Sequence, residues 1–309
     1  MGWKVWRESC APNDTVAMFV AVAVAAAVAP QAHGDTLIDA AAEYAAFQQD
    51  VTALRDAPID STEALQAALE RAARHDAEGL SRGWIAYGAL NAAQSRRFQR
   101  DLRALERRHG RDAVLAGLSS DPIAYMGRRR GYTEALTRIA AAAQADSQRA
   151  LAVGQRFDAL GYQLQSQTWA NGIIRNPGRE AQRLRRLARL EPSNEARAVM
   201  ASYAQTPVDA GAVWGDAAAR NSGRASSRSP AVRNMAELAA LRLLNADDGR
   251  WRSRSMQLLN EPVTQGCMEM AVLQYRQCLS VSHFRYETAA CTGAHPLRDV
   301  GRCIAAGAN

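Results

Sequence analysis

The residues best placed to do chemistry are four cysteines near the end of the chain, Cys267, Cys278, Cys291 and Cys303. Thiols can pair as disulfides, bind a metal or attack a substrate, and spacing discriminates among these uses. Cys267 and Cys278 stand eleven residues apart, three helical turns, so a helix over 266–289 carries both on one face and holds them too far apart to bond to each other. The nested pairing, Cys267 with Cys303 and Cys278 with Cys291, would instead staple an antiparallel helical hairpin. Three pairings are formally possible, and sequence alone does not choose among them. Each bridge would add roughly 2 to 4 kcal/mol. Met268, Val272, Tyr275 and Leu279 lie beside the cysteine face and are expected to bury. The competing chemistry is zinc, because Cys278, His283, Cys291 and His295 mix thiol and imidazole ligands at plausible intervals. An oxidising compartment favours disulfides over that site. Redox catalysis and haem attachment both lack the Cys-x-x-Cys pair they need, and no cofactor is expected.

Arginine supplies the second set of candidates. Arg179, Arg183 and Arg186 fall on one helical face, with Arg185 and Arg189 beside it and Leu184, Leu187 and Ala188 on the other side. A basic amphipathic helix of this kind can sit on an anionic surface or an acidic envelope protein, and the ordinary alternative is a solvated face of a bundle helix. The formal charge is +7, yet Lys4 is the only lysine. That excludes a P-loop phosphate clamp, a Schiff base and a Ser-Lys dyad from everything beyond Lys4. No His-Glu-x-x-His helix or Gly-x-Gly-x-x-Gly turn is present. No aromatic residues are interleaved with the arginines of 179–189 to stack bases, and nucleic acid is not an expected partner for an exported protein. Carboxylate catalysis of a muramidase kind would draw on Glu134, Glu269 or Glu287, each of which has an ordinary reading as a helix-surface carboxylate. His75 and His109 sit at expected helix ends, solvated or facing the helix dipole.

The elements that must position these residues are helical. Alanine, leucine and arginine dominate over aromatic and β-branched residues, a mixture that favours helices. Leu37, Ala40, Tyr44, Phe47, Val51 and Leu54 recur at alternate spacings of three and four, the seam of a packed helix. Asp60-Ser61-Thr62-Glu63 reads as a capped start of the next. Gly79 and Gly83 are expected to interrupt, with a third helix running from Trp84 to Arg108. One stripe stays in register from Tyr132 to about residue 170 despite Gly154 and Gly161, predicting a single long helix. Short helices follow over Arg179–Leu190 and Ser193–Ala204, and amphipathic ones over Ala231–Asn245 and Arg250–Asn260.

At the other end, the apolar run Val16–Ala29 stops at Pro30, short of the roughly 20 residues a membrane span needs. Ala32-His33-Gly34 then offers small residues at the positions a signal peptidase reads before Asp35. The expected organisation is a signal peptide over 1–34 and a helical bundle over 35–205. A Gly/Ser/Arg-rich linker over 206–230 and a four-cysteine helical domain over 231–309 complete it. These features predict an all-α protein exported to the periplasm or outside the cell, with no membrane span once the signal is removed. Its expected role is non-catalytic binding or scaffolding in the cell envelope. The alternatives are a helical envelope hydrolase working through carboxylates and a Cys/His zinc domain.

Overall fold

Local capping chemistry sets many of the helix boundaries. In the computed structural model, which describes residues 36–188, 192–206, 212–214, 225–246 and 249–309, α1 (Thr36–Asp56) buries Leu37, Ala40, Tyr44, Phe47, Val51 and Leu54, the seam its periodicity predicts. Ser61 caps α2 (Thr62–Ala73) by accepting from the Ala64 backbone N–H at 3.1 Å. Asp76 does the same for α3 (Ala77–Ala93), accepting from Gly79 N–H at 2.8 Å.

Helix α3 departs from the sequence expectation. It runs straight through Gly79 and Gly83 and stops at Gln94, where Ser95 caps a separate helix, α4 (Arg96–His109). Almost every residue of α3 is buried, so it has no polar face to mark its period. Gly83 is there for close approach: a Cβ on it would lie 2.7 Å from the Tyr44 backbone nitrogen and 2.8 Å from the Ala40 carbonyl oxygen of α1. Glycine costs roughly 1 kcal/mol in a helix interior, and tight packing of two backbones offsets it.

After α5 (Arg111–Ser120) and α6 (Pro122–Met126), α7 (Arg130–Leu164) forms the long helix that its stripe predicts. It buries Leu136, Ile139, Ala143, Ala150, Val153, Phe157 and Leu164. Then come α8 (Pro177–Leu187), α9 (Asn194–Gln205), α10 (Pro230–Leu243), α11 (Gly249–Leu259) and α12 (Pro262–Val281). Helix α12 ends at Val281 rather than continuing to residue 289. Glu287 caps a new helix, α13 (Arg285–Thr292), accepting from the backbone N–H groups of Phe284 at 3.0 Å and His283. A π-helical stretch, Gly293–Asp299, holds Pro296, whose missing N–H a regular turn would have needed. It leads into α14 (Val300–Ala308).

Among the described residues the fold is all-α, and the extended pairing found is the single bridge between Ile173 and Phe284. Around that bridge Arg285 N–H donates to the Gly172 carbonyl at 3.2 Å and Tyr286 N–H to that of Ala170 at 3.2 Å, tying the chain after α7 to the start of α13. Residues Asp35–Asn309 make one compact unit in which helices before 206 and after 230 share a hydrophobic core. The described end of the expected linker is anchored: Ala225 N–H donates to Leu136 O at 3.2 Å, Ser226 N–H to Ala308 O at 2.9 Å and Ser229 Oγ to Gly307 O at 2.6 Å. The rest of that segment, the Val16–Ala29 run and the proposed cleavage point lie outside the described residues. No helix among the described residues is long and apolar enough to cross a membrane.

Candidate functional site

The cysteines form two pairs at disulfide distance, in the nested arrangement. Cys267 on α12 meets Cys303 on α14 with Cα atoms 5.8 Å apart, and Cys278 meets Cys291 on α13 with Cα atoms 5.7 Å apart. Met268, Tyr275 and Leu279 are buried on the inner side of α12, as their spacing predicts, with Val272 packed against the core. The zinc alternative loses both thiols to that pairing. His295 Nδ1 lies 2.8 Å from Asp299 Oδ2, the His283 ring stands edge-on to Phe284 at 4.6 Å, and no group of three or more metal-ligating side chains converges among the described residues.

The three carboxylates singled out by sequence stand on separate elements. Glu134 of α7 accepts from Ser95 Oγ at 2.9 Å, Glu269 of α12 accepts from Gln265 Nε2 at 2.8 Å, and Glu287 is the α13 cap. None of them lines the two clefts described below. His109 is the exposed last residue of α4, a helix-end position. His75 is not solvated: its side chain is 10% exposed, Nε2 lies 2.8 Å from Asp50 Oδ2, and its ring packs edge-on against Phe47.

That His75–Asp50 contact marks a cleft of about 320 Å³ between α1, the turn joining α2 to α3, and Pro192 and Ser193 ahead of α9. Glu43, Asp50 and Asp76 supply its acidic groups, Arg74 and His75 its basic ones. Two of the carboxyls are driven in opposite directions. Burial pushes Glu43 above the ordinary glutamate range, with Arg82 opposing and Asp76 and Glu78 adding to the rise. Burial would also raise Asp50, but hydrogen bonds from His75 and Arg71 and the charge of Arg74 outweigh it and hold that carboxyl low. Arg71 Nη1 donates to Asp50 Oδ1 at 2.6 Å, so both Asp50 oxygens are engaged by α2 and the residues just after it.

His75 and Leu80 also line a second, narrow apolar slot beside α8, about 20 Å³ of open space, room for little more than one water. Phe47, Leu184, Tyr275 and Leu279 wall it, and Arg185 of α8 and Arg276 of α12 stand at its edge. Burial and the nearby Arg185 guanidinium lower the proton affinity of Arg276, with Asp76 acting the other way. Neither guanidinium makes a hydrogen bond or ion pair among the described residues.

The three arginines expected to form one basic face divide by role. Arg183 donates to Glu180 at 2.7 Å and pairs with Glu70 of α2 at 2.9 Å, so it locks α8 onto α2. Arg179 and Arg186 are exposed, as is Arg185, and their guanidiniums have no partner among the described residues. Sequence reading missed Glu43, Asp50 and Asp76. The available signal was Glu43 and Asp50 spaced seven apart on one side of a helix otherwise rich in alanine.

No protein-family model, no curated protein and no solved structure matches this chain.

Proposed function

We propose that the protein is an exported, non-catalytic helical component of the cell envelope that docks on an anionic surface through the arginines of α8. The observation that carries this reading is the group of exposed guanidiniums, Arg179, Arg185 and Arg186, on a helix whose other side is buried through Ala181 and Leu184. Arg183 fixes the orientation of that face from below through Glu70 and Glu180. Export is supported by the Val16–Ala29 run before Ala32-His33-Gly34 and by two cysteine pairs at disulfide distance, which suit an oxidising compartment. Co-sedimentation with phosphatidylglycerol vesicles tests the docking. Binding should weaken as salt rises, be absent with phosphatidylcholine vesicles, and fall severalfold in Arg179→Gln/Arg185→Gln/Arg186→Gln. Equal binding by that variant overturns the reading.

A second reading, hydrolysis by paired carboxyls, is favoured by one observation: Glu43 held high and Asp50 held low beside one cleft, the pattern of an acid and a base. Against it, both Asp50 oxygens are already hydrogen-bonded to Arg71 and His75, leaving that carboxylate to join helices rather than to activate water. Turnover of cell-wall glycan that disappears in Glu43→Gln would establish the enzymatic reading.

A further inference from the structure

The outer face of α12 carries an apolar stripe. Val263 is 71% exposed, Met270 51%, Leu273 45% and Val281 79%, on the opposite side of the helix from the buried Thr264, Met268, Ala271, Tyr275 and Leu279. Val263, Gly266, Met270, Leu273 and Gln277 recur at spacings of three, four, three and four, the interval of a seam made for another helix, and Val281 extends it. Scattered exposed apolar residues need no explanation, but a stripe in register along a whole helix does. Its composition argues for a second helix of the same kind. Across Pro262–Val281 the charged residues are Glu269 and Arg276 alone, and both stand on the same flank of the seam.

Antiparallel packing of two α12 helices about a twofold axis between Ala271 and Val272 makes this arrangement self-complementary. Met270 then faces Leu273 of the second copy, Gly266 faces Gln277, and Val263 faces the C-terminal end of the opposing helix. On the flank, Glu269 comes opposite Arg276 of the other copy, twice by symmetry, because in antiparallel pairs these flanking positions meet each other. Glu269 accepts from Gln265 Nε2 and makes no further hydrogen bond among the described residues. Arg276 lies beside Arg185 with no carboxylate bound to it among the described residues, so a carboxylate from a second copy supplies what this flank lacks. A parallel pair would leave both charges without that match.

We propose that two copies of this chain associate through α12, antiparallel, with Glu269 of each copy paired to Arg276 of the other. Helix α12 is about 30 Å long at 1.5 Å per residue, and one helix pair buries less than the roughly 800 Å² per partner of a standard interface. Association is therefore weak and concentration-dependent.

Sedimentation velocity of the full chain over a concentration series, under oxidising conditions and without lipid, tests this. The expected result is a monomer–dimer equilibrium whose dissociation constant rises about tenfold or more in Met270→Glu. Glu269→Arg and Arg276→Glu should each weaken dimerisation, and Glu269→Arg/Arg276→Glu should restore it. Far-UV circular dichroism accompanies each variant; should Arg276→Glu fold poorly, Met270→Glu and Glu269→Arg, at exposed positions, carry the test. A monomer at every concentration, a dimer indifferent to Met270→Glu, or a charge-exchanged variant no tighter than the single reversals overturns the proposal.

Discussion

Between α1 and α7 the helices are joined by Tyr44, Gln48, Asp146 and Arg149, all buried and hydrogen-bonded to one another; between α12 and the α13–α14 arm the ties are cysteine pairs. In the first region Tyr44 OH donates to Asp146 Oδ2 at 2.8 Å, Gln48 Nε2 donates to Tyr44 OH at 2.7 Å, and Arg149 Nη1 reaches both Asp146 and Gln48. Tyr87 stacks at a tilt on Tyr44, with ring centres 5.4 Å apart, and on Tyr203 at 5.5 Å, whose hydroxyl donates to Asn91. Burial and the Asp146 charge push the Tyr44 phenol well above its ordinary range, so it stays a donor at any physiological pH. In the second region most inner side chains are apolar, one hydrogen bond joins Tyr275 and Thr292 at 3.2 Å, no buried charges meet among the described residues, and the register is held by the cysteine pairs. A charged network loses its value when any member is removed, because the others remain buried without partners, whereas a covalent staple acts mainly on the unfolded chain. The two regions should therefore fail under different conditions.

The largest expected effect is in the polar network. Arg149→Leu removes the guanidinium beside the fully buried Asp146 carboxylate, which keeps its hydrogen bond from Tyr44, and should cost about 3 to 5 kcal/mol in urea unfolding, while Asp146→Leu/Arg149→Leu should cost less than Arg149→Leu alone. A double variant as unstable as the single one would mean that the pair is not the tie.

Next come the cysteines. Replacing Cys267 and Cys303 by serine opens a 36-residue separation, and replacing Cys278 and Cys291 opens one of 13. The chain-entropy relation puts the losses at roughly 4 and 3 kcal/mol respectively. Both losses should vanish when all samples are measured in reductant, and the Arg149→Leu loss should persist there. A melting temperature indifferent to reductant would show that the staples are not formed.

The smallest effect is electrostatic and reverses with pH. Asp50 is held low, so its contribution is present above about pH 4, the ordinary carboxylate value, and fades as pH falls through its lowered pKa. Glu43 is held high, so its contribution is present in acid and is lost as pH rises through its raised pKa. Asp50→Asn should accordingly lower the melting temperature at neutral pH and lose that effect in acid. Glu43→Gln should raise it slightly at neutral pH and do nothing in acid. Matching pH profiles for the two variants would remove the contrast between these carboxyls.

Much of this molecule was written locally. The α1 seam, the Ser61 cap, the 35-residue run of α7 and the buried face of α12 follow from periodicity and capping, which depend on residues a few positions apart. The nested cysteine pairs match the arrangement that excluding a Cys267–Cys278 bond made natural. Other features had no local signal. Helix α3 looked broken at its glycines because sequence spacing does not reveal that α1 presses against Gly83. Arg183 looked like part of a free basic face because Glu70, its partner, lies far away along the chain. His75 looked solvated because Asp50 and Phe47 come to it from a different helix. What the sequence determined by itself was therefore the set of helices, their caps and the face each would bury. Which charges would be neutralised, where a cleft would open and which apolar stripe would be left uncovered were decided by tertiary packing, because each depends on atoms brought together from distant parts of the chain.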